Sequence, residues 1–289
     1  MRERKGYHMA RRVMMVSGVV LIVLALVWLY LIFPGMAKFP ADYEKVYHFE
    51  GTVQVFDIST NKLVPIATKM DRSLTATDVT DTDALILQQV IKFTIAANGA
   101  PLSAASPSLA ALDSTETYAI DRTTRENVAG GDKTRSGQFT FPADVKQETY
   151  QFWSATTGTA LPAEFVSEDT RDGVKVYVFK IDSKGNPYAP NPTTTLPQTV
   201  DVATTIEVEP VSGTPVYTTT KTTINMQMLP TTNIPVLINE STFTSATVDE
   251  SVTEAKDNRS KILWASVYGF WAVFGLGAVL VVIGLLKRS

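Results

Sequence analysis

Two histidines, no cysteine and a scatter of carboxylates bound the chemistry open to this 289-residue chain. His8 lies in a basic N-terminal tail, and His48 falls on the polar side of a strand pattern. An apolar run long enough to cross a bilayer separates them, so neither a histidine metal site nor a Ser-His-Asp arrangement is expected. Without cysteine there is no disulfide scaffold and no thiolate nucleophile. Asp78, Asp81 and Asp83 place three oxygen donors near one another, as calcium would need. They lack the glycine and distal glutamate of an EF-hand loop, and a solvated turn is the plainer reading. Ser59 and Lys62 have the Ser-x-x-Lys spacing in which a lysine activates a serine, but they sit in a turn pattern without the companion motifs. No nucleophile elbow, P-loop or dinucleotide fingerprint occurs. Asn239-Glu240-Ser241 and Asn258-Arg259-Ser260 have N-glycosylation spacing, which matters only in a host with the machinery. The expectation is a non-enzymatic chain with no catalytic residue, metal or cofactor.

The other concentrated feature is aromatic. Phe139, Phe141, Tyr150, Phe152 and Trp153 crowd a short stretch, either as a hydrophobic clasp in the core or as the wall of a pocket for a lipid or other apolar ligand. In a strand, Tyr150 and Phe152 share one face while Gln151 and Trp153 share the other, so these rings cannot all point the same way.

The elements that must position these residues are mostly strands. Tyr47, Phe49, Val53 and Val55 alternate with His48, Glu50, Thr52 and Gln54, the pattern of a half-buried strand. Leu87, Gln89, Ile91, Phe93 and Ile95 form one face against Gln88, Lys92 and Thr94. Val200, Val202, Thr204, Ile206 and Val208 oppose Asp201, Thr205 and Glu207, and Ile224, Met226 and Met228 continue the theme. Residues 174–181 are apolar on both faces and read as a central strand. Pro210, Ser212, Gly213 and Pro215 read as the turn of a long hairpin, and residues 98–108, 127–137 and 184–197 as loops. Residues 249–261 are charged, lack glycine and proline, and read as a helical stalk.

Two apolar runs frame this region. Residues 13–33 and 262–286 each reach the roughly 20 residues needed to cross a hydrocarbon core about 30 Å thick. The first is too long for the apolar centre of a signal peptide, typically about 7 to 15 residues; the alternative is a cleaved signal, with small residues such as Ala37 and Ala41 following it. Arg2, Arg4, Lys5, Arg11 and Arg12 precede the first run, and Lys287 and Arg288 follow the second, which places both termini in the cytoplasm. Trp28, Tyr30, Trp264, Tyr268 and Trp271 fall at the outer ends, where aromatic rings prefer the headgroup level. Gly18 and Ala25, like Gly277 and Gly284, are spaced to let the spans pack together or with copies of themselves. Neither span carries an internal charge, so no ion path is expected through them.

The fold class expected is therefore membrane-anchored and mainly β: N- and C-terminal transmembrane helices flanking one antiparallel β-rich extracytoplasmic domain. Its divisions are a cytoplasmic tail 1–12, transmembrane helix 13–33, β-rich domain 34–248, stalk 249–261, transmembrane helix 262–286 and cytoplasmic tail 287–289. The chain has 26 basic and 29 acidic residues, and removing the seven basic and one acidic residue of the tails leaves 19 against 28. A domain near −9 argues against nucleic acid or anionic headgroups as partners for its outer surface. Its Thr-rich, acid-bearing strands also do not match a lipid-facing barrel, whose strands turn alternate apolar residues outward over about 9 to 11 residues.

From about Tyr118 onward the sequence resembles a family of two-span envelope proteins, the porin PorA family. The resemblance is carried by Tyr118-Ala-Ile-Asp121-Arg122-Thr123-Thr124, Gly137-Gln-Phe139-Thr-Phe141-Pro142, Lys146-Gln-Glu-Thr149-Tyr150-Gln-Phe152-Trp153 and Gly173-Val-Lys-Val-Tyr177-Val-Phe179. It implies a cell-envelope location, and no catalytic residue carries over from it. The expected function is to bind or pass an apolar, lipid or other envelope component through the β domain. The expected partners are the lipid bilayer, an apolar or lipid ligand and a second copy through the helices. The alternative is a structural or adhesive surface protein with a protein or glycan partner; a third is a hydrolase with an unrecognised carboxylate site.

Overall fold

The period-two segments fold as strands. In the computed structural model, which describes residues 2–36, 38–190, 195–229 and 232–286, the chain divides into two units: Met1–Lys38 with Asp257–Ser289, and Phe39–Lys256. Ala37, Pro192, Lys287 and Arg288 lie outside the described residues.

The second unit holds ten strands: β1 (Glu44–Asp57), β2 (Lys62–Val79), β3 (Ala84–Ile95), β4 (Ser114–Asp121), β5 (Tyr150–Ser154), β6 (Thr159–Arg171), β7 (Val174–Tyr188), β8 (Gln198–Glu209), β9 (Thr214–Leu229) and β10 (Thr232–Phe243). They form one curled sheet in the order β4-β3-β2-β1-β10-β9-β8-β7-β6-β5, and every neighbouring pair is antiparallel. Consecutive strands are neighbours everywhere except from β4 to β5, the two edges. There the intervening chain supplies single bridges, Ile120 to Asn127, Glu126 to Gln138, and Gln138 to Phe152. A hydrogen-bonded path thus links one edge strand to the other, which leaves little free edge for unwanted pairing.

β7 is buried on both faces, as its sequence requires. Val174 and Val176 pack with Tyr47, Phe49, Leu74 and Phe243, whereas Phe179 and Ile181 pack with Phe141, Phe152 and Leu161. The hairpin turn between β8 and β9 falls where expected, at residues 210–213. Gly213 holds φ +69°, and a Cβ there would lie 2.0 Å from the Pro142 carbonyl oxygen, so only glycine fits.

Three boundaries differ from the sequence reading. The loop read from residue 184 starts only after Tyr188, because Gly185 sits in a bulge held by its N–H to Asp201 Oδ1 at 2.7 Å. Pro187 pairs with Thr199 of β8 beyond the last β6 partner of β7, and a free strand side is where proline is tolerated. The segment 98–108 holds a 3₁₀ turn, Leu102–Ala104, and the start of a second, Pro107–Leu112, and these bury Leu102 and Leu109 against Val53 and Phe93. The stalk helix α3 (Ser245–Leu263) begins four residues before Asp249 because Thr244 caps it, its Oγ1 accepting the Thr247 N–H at 3.2 Å. Val248, Val252 and Ala255, at helical spacing, are its buried face.

The first unit is a helical pair. α1 (Arg2–Val27) continues through a π turn, Trp28–Ile32, into a last turn, α2 (Phe33–Met36). α3 continues through a π turn, Trp264–Tyr268, into α4 (Gly269–Leu286). Residues 11–35 and the helix Ser245–Leu286 contain stretches long and apolar enough to cross a membrane. α1 and α4 run antiparallel: Gly18 faces Gly277, Gly284 faces Met15, Arg11 Nε donates to the Gly284 carbonyl at 2.8 Å, and Trp28 Nε1 donates to the Ala265 carbonyl at 2.9 Å. The expected small-residue face is thus used within one chain.

Candidate functional site

The five aromatic residues singled out by sequence divide into two groups. Phe141, Tyr150 and Phe152 come together with Phe179: the Phe141 ring centroid lies 4.6 Å from Phe152, 4.5 Å from Phe179 and 5.3 Å from Tyr150. Phe141 is fully buried. Phe139 and Trp153 lie elsewhere, against Phe39, Leu85, Leu87, Tyr118 and Ile120. Strand alternation separates Phe152 from Trp153, which are adjacent in β5, whereas Phe139 and Phe141 lie in the irregular connection before it. The Trp153 indole N–H is buried with no acceptor among the described residues.

Beside Phe139 and Trp153 runs a polar chain across three strands, β2 to β4. Arg72 of β2 stands opposite Tyr47 of β1. Its Nε donates to Gln89 Oε1 of β3 at 2.7 Å, Gln89 Nε2 donates to the Tyr118 hydroxyl of β4 at 3.4 Å, and that hydroxyl donates to Glu116 Oε2 at 2.8 Å. Arg135 completes the chain, 3.2 Å from Glu116 and with its guanidinium 3.7 Å from the Tyr118 ring centroid. Burial, and after it the bond to Glu116, pushes the Tyr118 hydroxyl up to about 12, so it remains a donor.

Arg125 approaches the same cluster through a different ring, Phe39. Its NH1 donates to the Phe141 carbonyl at 2.6 Å and its NH2 to the Ser212 carbonyl at 3.1 Å, tying the β8–β9 turn to the segment before β5. Burial pushes its guanidinium down to about 10. The guanidinium lies 5.2 Å from the Phe39 ring centroid, as that of Arg72 lies 5.6 Å from Phe139. Phe39 packs against Tyr43 in a tilted pair with centroids 4.4 Å apart, and the Tyr43 and Tyr47 hydroxyls are 3.1 Å apart. Burial raises both tyrosines above their usual range. What results is a half-buried site of cations, hydroxyls and aromatic faces, suited to an oxyanion with apolar character.

Other candidates stay apart. His48 is an exposed strand residue whose Nδ1 lies 2.7 Å from Asp71. Asp83 pairs with Arg122 at 2.8 Å while Asp78 caps the Val79 N–H, and no metal-holding group occurs among the described residues. Ser59 donates its hydroxyl to Asp57 in the β1–β2 turn. Asn239 sits mid-strand between β1 and β9.

The family model for porin PorA matches residues 12–286, from the start of the first apolar helix to the end of the second. The chain belongs to the PorA porin family. No curated protein matches it by sequence. Membership makes it an envelope, channel-like membrane protein at the level of the family, and assigns no residue a role.

Arg72, Arg125 and Arg135 escaped the sequence reading. For Arg72 and Gln89 a signal existed: each interrupts an apolar register, Met70-x-Arg72-x-Leu74 and Leu87-x-Gln89-x-Ile91. Arg125 and Arg135 lie in the β4–β5 connection, where no period operates.

Proposed function

We propose that this PorA-family chain is a non-enzymatic cell-envelope protein, anchored by two helices that cross the membrane with both termini in the cytoplasm. Its β unit lies on the extracytoplasmic side, where it binds or passes an apolar or lipid component. The pairing of α1 with α4 at Gly18 and Gly277 is the observation that carries the anchoring. Around that contact Val16, Val20, Leu24, Leu276, Val279 and Val282 are all exposed. Apolar surface of that extent calls for lipid, and in lipid the close approach of small residues is what holds helices together. Antiparallel pairing puts the Arg11 and Arg12 end of one span beside the C-terminal end of the other, and basic flanks stay cytoplasmic.

The β unit suits water. Lys69, Asp71, Lys92, Lys180, Asp182 and Lys221 are exposed along its strands. A lysine on the lipid face of a membrane barrel costs about 2 to 4 kcal/mol at the midplane. Family membership and the arginine-aromatic site support the handling of an envelope component.

Lipid extracted from the full-length protein after purification in mild detergent, and identified by mass spectrometry, tests the reading. A defined lipid species retained at near one equivalent through extensive washing is expected. Only bulk membrane lipid in bulk proportions, with no effect from changing Arg72, would overturn it.

A further inference from the structure

Two guanidinium groups in the β unit have no carboxylate at ion-pair distance among the described residues. Arg72 is bonded to the neutral Gln89, and Arg125 to main-chain carbonyls, with its Nε lacking an acceptor. The Tyr43 and Tyr47 hydroxyls link them: Tyr47 opposes Arg72 across the β1–β2 ladder, and both tyrosines act electrostatically on Arg125. Glu254, the acid that acts on both tyrosines and on Arg125, is itself paired with Lys45 at 3.0 Å. Neither guanidinium therefore has a carboxylate of its own in direct contact among the described residues, in a domain whose sequence is strongly acidic. Partly desolvated charges without counter-charge are unfavourable, and an anion would complete them.

We propose that Arg72, Arg125, Tyr43 and Tyr47 form a binding site for the phosphate or carboxylate head of an amphipathic anion. The guanidinium fork suits two oxygens of such a head, and the two hydroxyls add neutral donors. Phe39 and Phe139, each beneath a guanidinium, supply the apolar side. Arg72 and Tyr43 are half-buried and form the side open to solvent, whereas Arg125 keeps a buried Nε and lies at the inner end of the site. The head assignment stands on this geometry alone; the apolar tail rests on the lipid-handling reading above.

Calorimetric titration of the full-length protein in a neutral-headgroup detergent tests the site, with inorganic phosphate and dodecyl phosphate as probes. Arg125 braces the fold, so the variants are Arg72→Gln and Tyr43→Phe, the latter keeping the ring. Dodecyl phosphate is expected to bind at least about tenfold tighter than phosphate, and Arg72→Gln to weaken both about tenfold, the loss of one charge-assisted pair. Equal binding of the two probes, still lost in Arg72→Gln, supports a free-oxyanion site and removes the lipid tail. Dodecyl phosphate binding unchanged in Arg72→Gln overturns the site, even with lipid handling intact, and so does the absence of binding of either probe to the unaltered protein. If Arg72→Gln does not fold, Tyr43→Phe decides: weaker binding of both probes supports the site, and unchanged affinity overturns it.

Discussion

Phe141→Ala separates a packed core from a pocket wall at the aromatic cluster. Phe141 is fully buried and meets three rings, those of Tyr150, Phe152 and Phe179, with centroids 4.5 to 5.3 Å away. Truncating a buried phenylalanine costs about 3 to 5 kcal/mol, because the space left behind does not fully collapse. Three favourable ring pairs, each contributing about 0.5 to 1.5 kcal/mol beyond area, put Phe141→Ala at the upper end of that range. A domain stability of about 5 to 15 kcal/mol would be reduced by a third or more. Phe141→Leu refills most of the volume and should lose less than half as much. Equilibrium denaturation of the full-length variants in detergent, followed by tryptophan fluorescence, gives both numbers. A loss below about 1.5 kcal/mol for Phe141→Ala would mean that the ring borders open space, and the packed-core assignment would fail.

Trp153→Phe should be neutral or stabilising when denaturation is followed by far-UV circular dichroism, the readout needed because Trp153 is the only tryptophan of the β unit: it deletes a buried indole N–H that has no acceptor among the described residues and whose desolvation costs about 1 to 3 kcal/mol; a clear loss would show that the N–H has a partner. Arg125→Met should destabilise by about 2 to 4 kcal/mol by stranding the Phe141 and Ser212 carbonyls, with an unaltered midpoint as the refuting result. Gly277→Leu places side-chain atoms where a Cβ already meets the Gly18 carbonyl at 2.7 Å, so the helix pair should separate; disulfide trapping between cysteines placed at positions 22 and 273 should fall, and persistence would refute the pairing. Tyr118 has its proton held to about 12 in the fold against about 10 unfolded, so its contribution is whole below pH 10 and lost as pH rises towards 12. Arg125, lowered to about 10 by burial, runs the other way, so the tyrosine is isolated by subtraction. Thermal midpoints between pH 9 and about 11.5 should fall less steeply in Tyr118→Phe, and parallel curves would count against the assignment.

Periodicity made the strands legible. Val53, Phe93, Val200 and Ile206 face a core as their alternation requires, and Phe152 and Trp153 diverge for the same reason. The small-residue contact of Gly18 with Gly277 was likewise visible, since close helix approach needs glycine. Boundaries were less so: Pro187 in a strand depends on a free side that only the sheet order reveals, and the start of α3 depends on the Thr244 cap. The candidate site was the least legible. Arg125 lies in an aperiodic connection and acts through carbonyls of residues far along the chain, a pairing that no local pattern encodes.

Cysteine accessibility tests the central claim most directly, because the natural chain has none to confuse it. Ser59→Cys places a thiol in the exposed β1–β2 turn, and Met9→Cys places one on the exposed side of α1 before the apolar run. With a membrane-impermeant maleimide added to intact spheroplasts, the account predicts labelling at position 59 at once and at position 9 only after lysis. Labelling at position 9 in intact cells, or protection of position 59 until lysis, would contradict it.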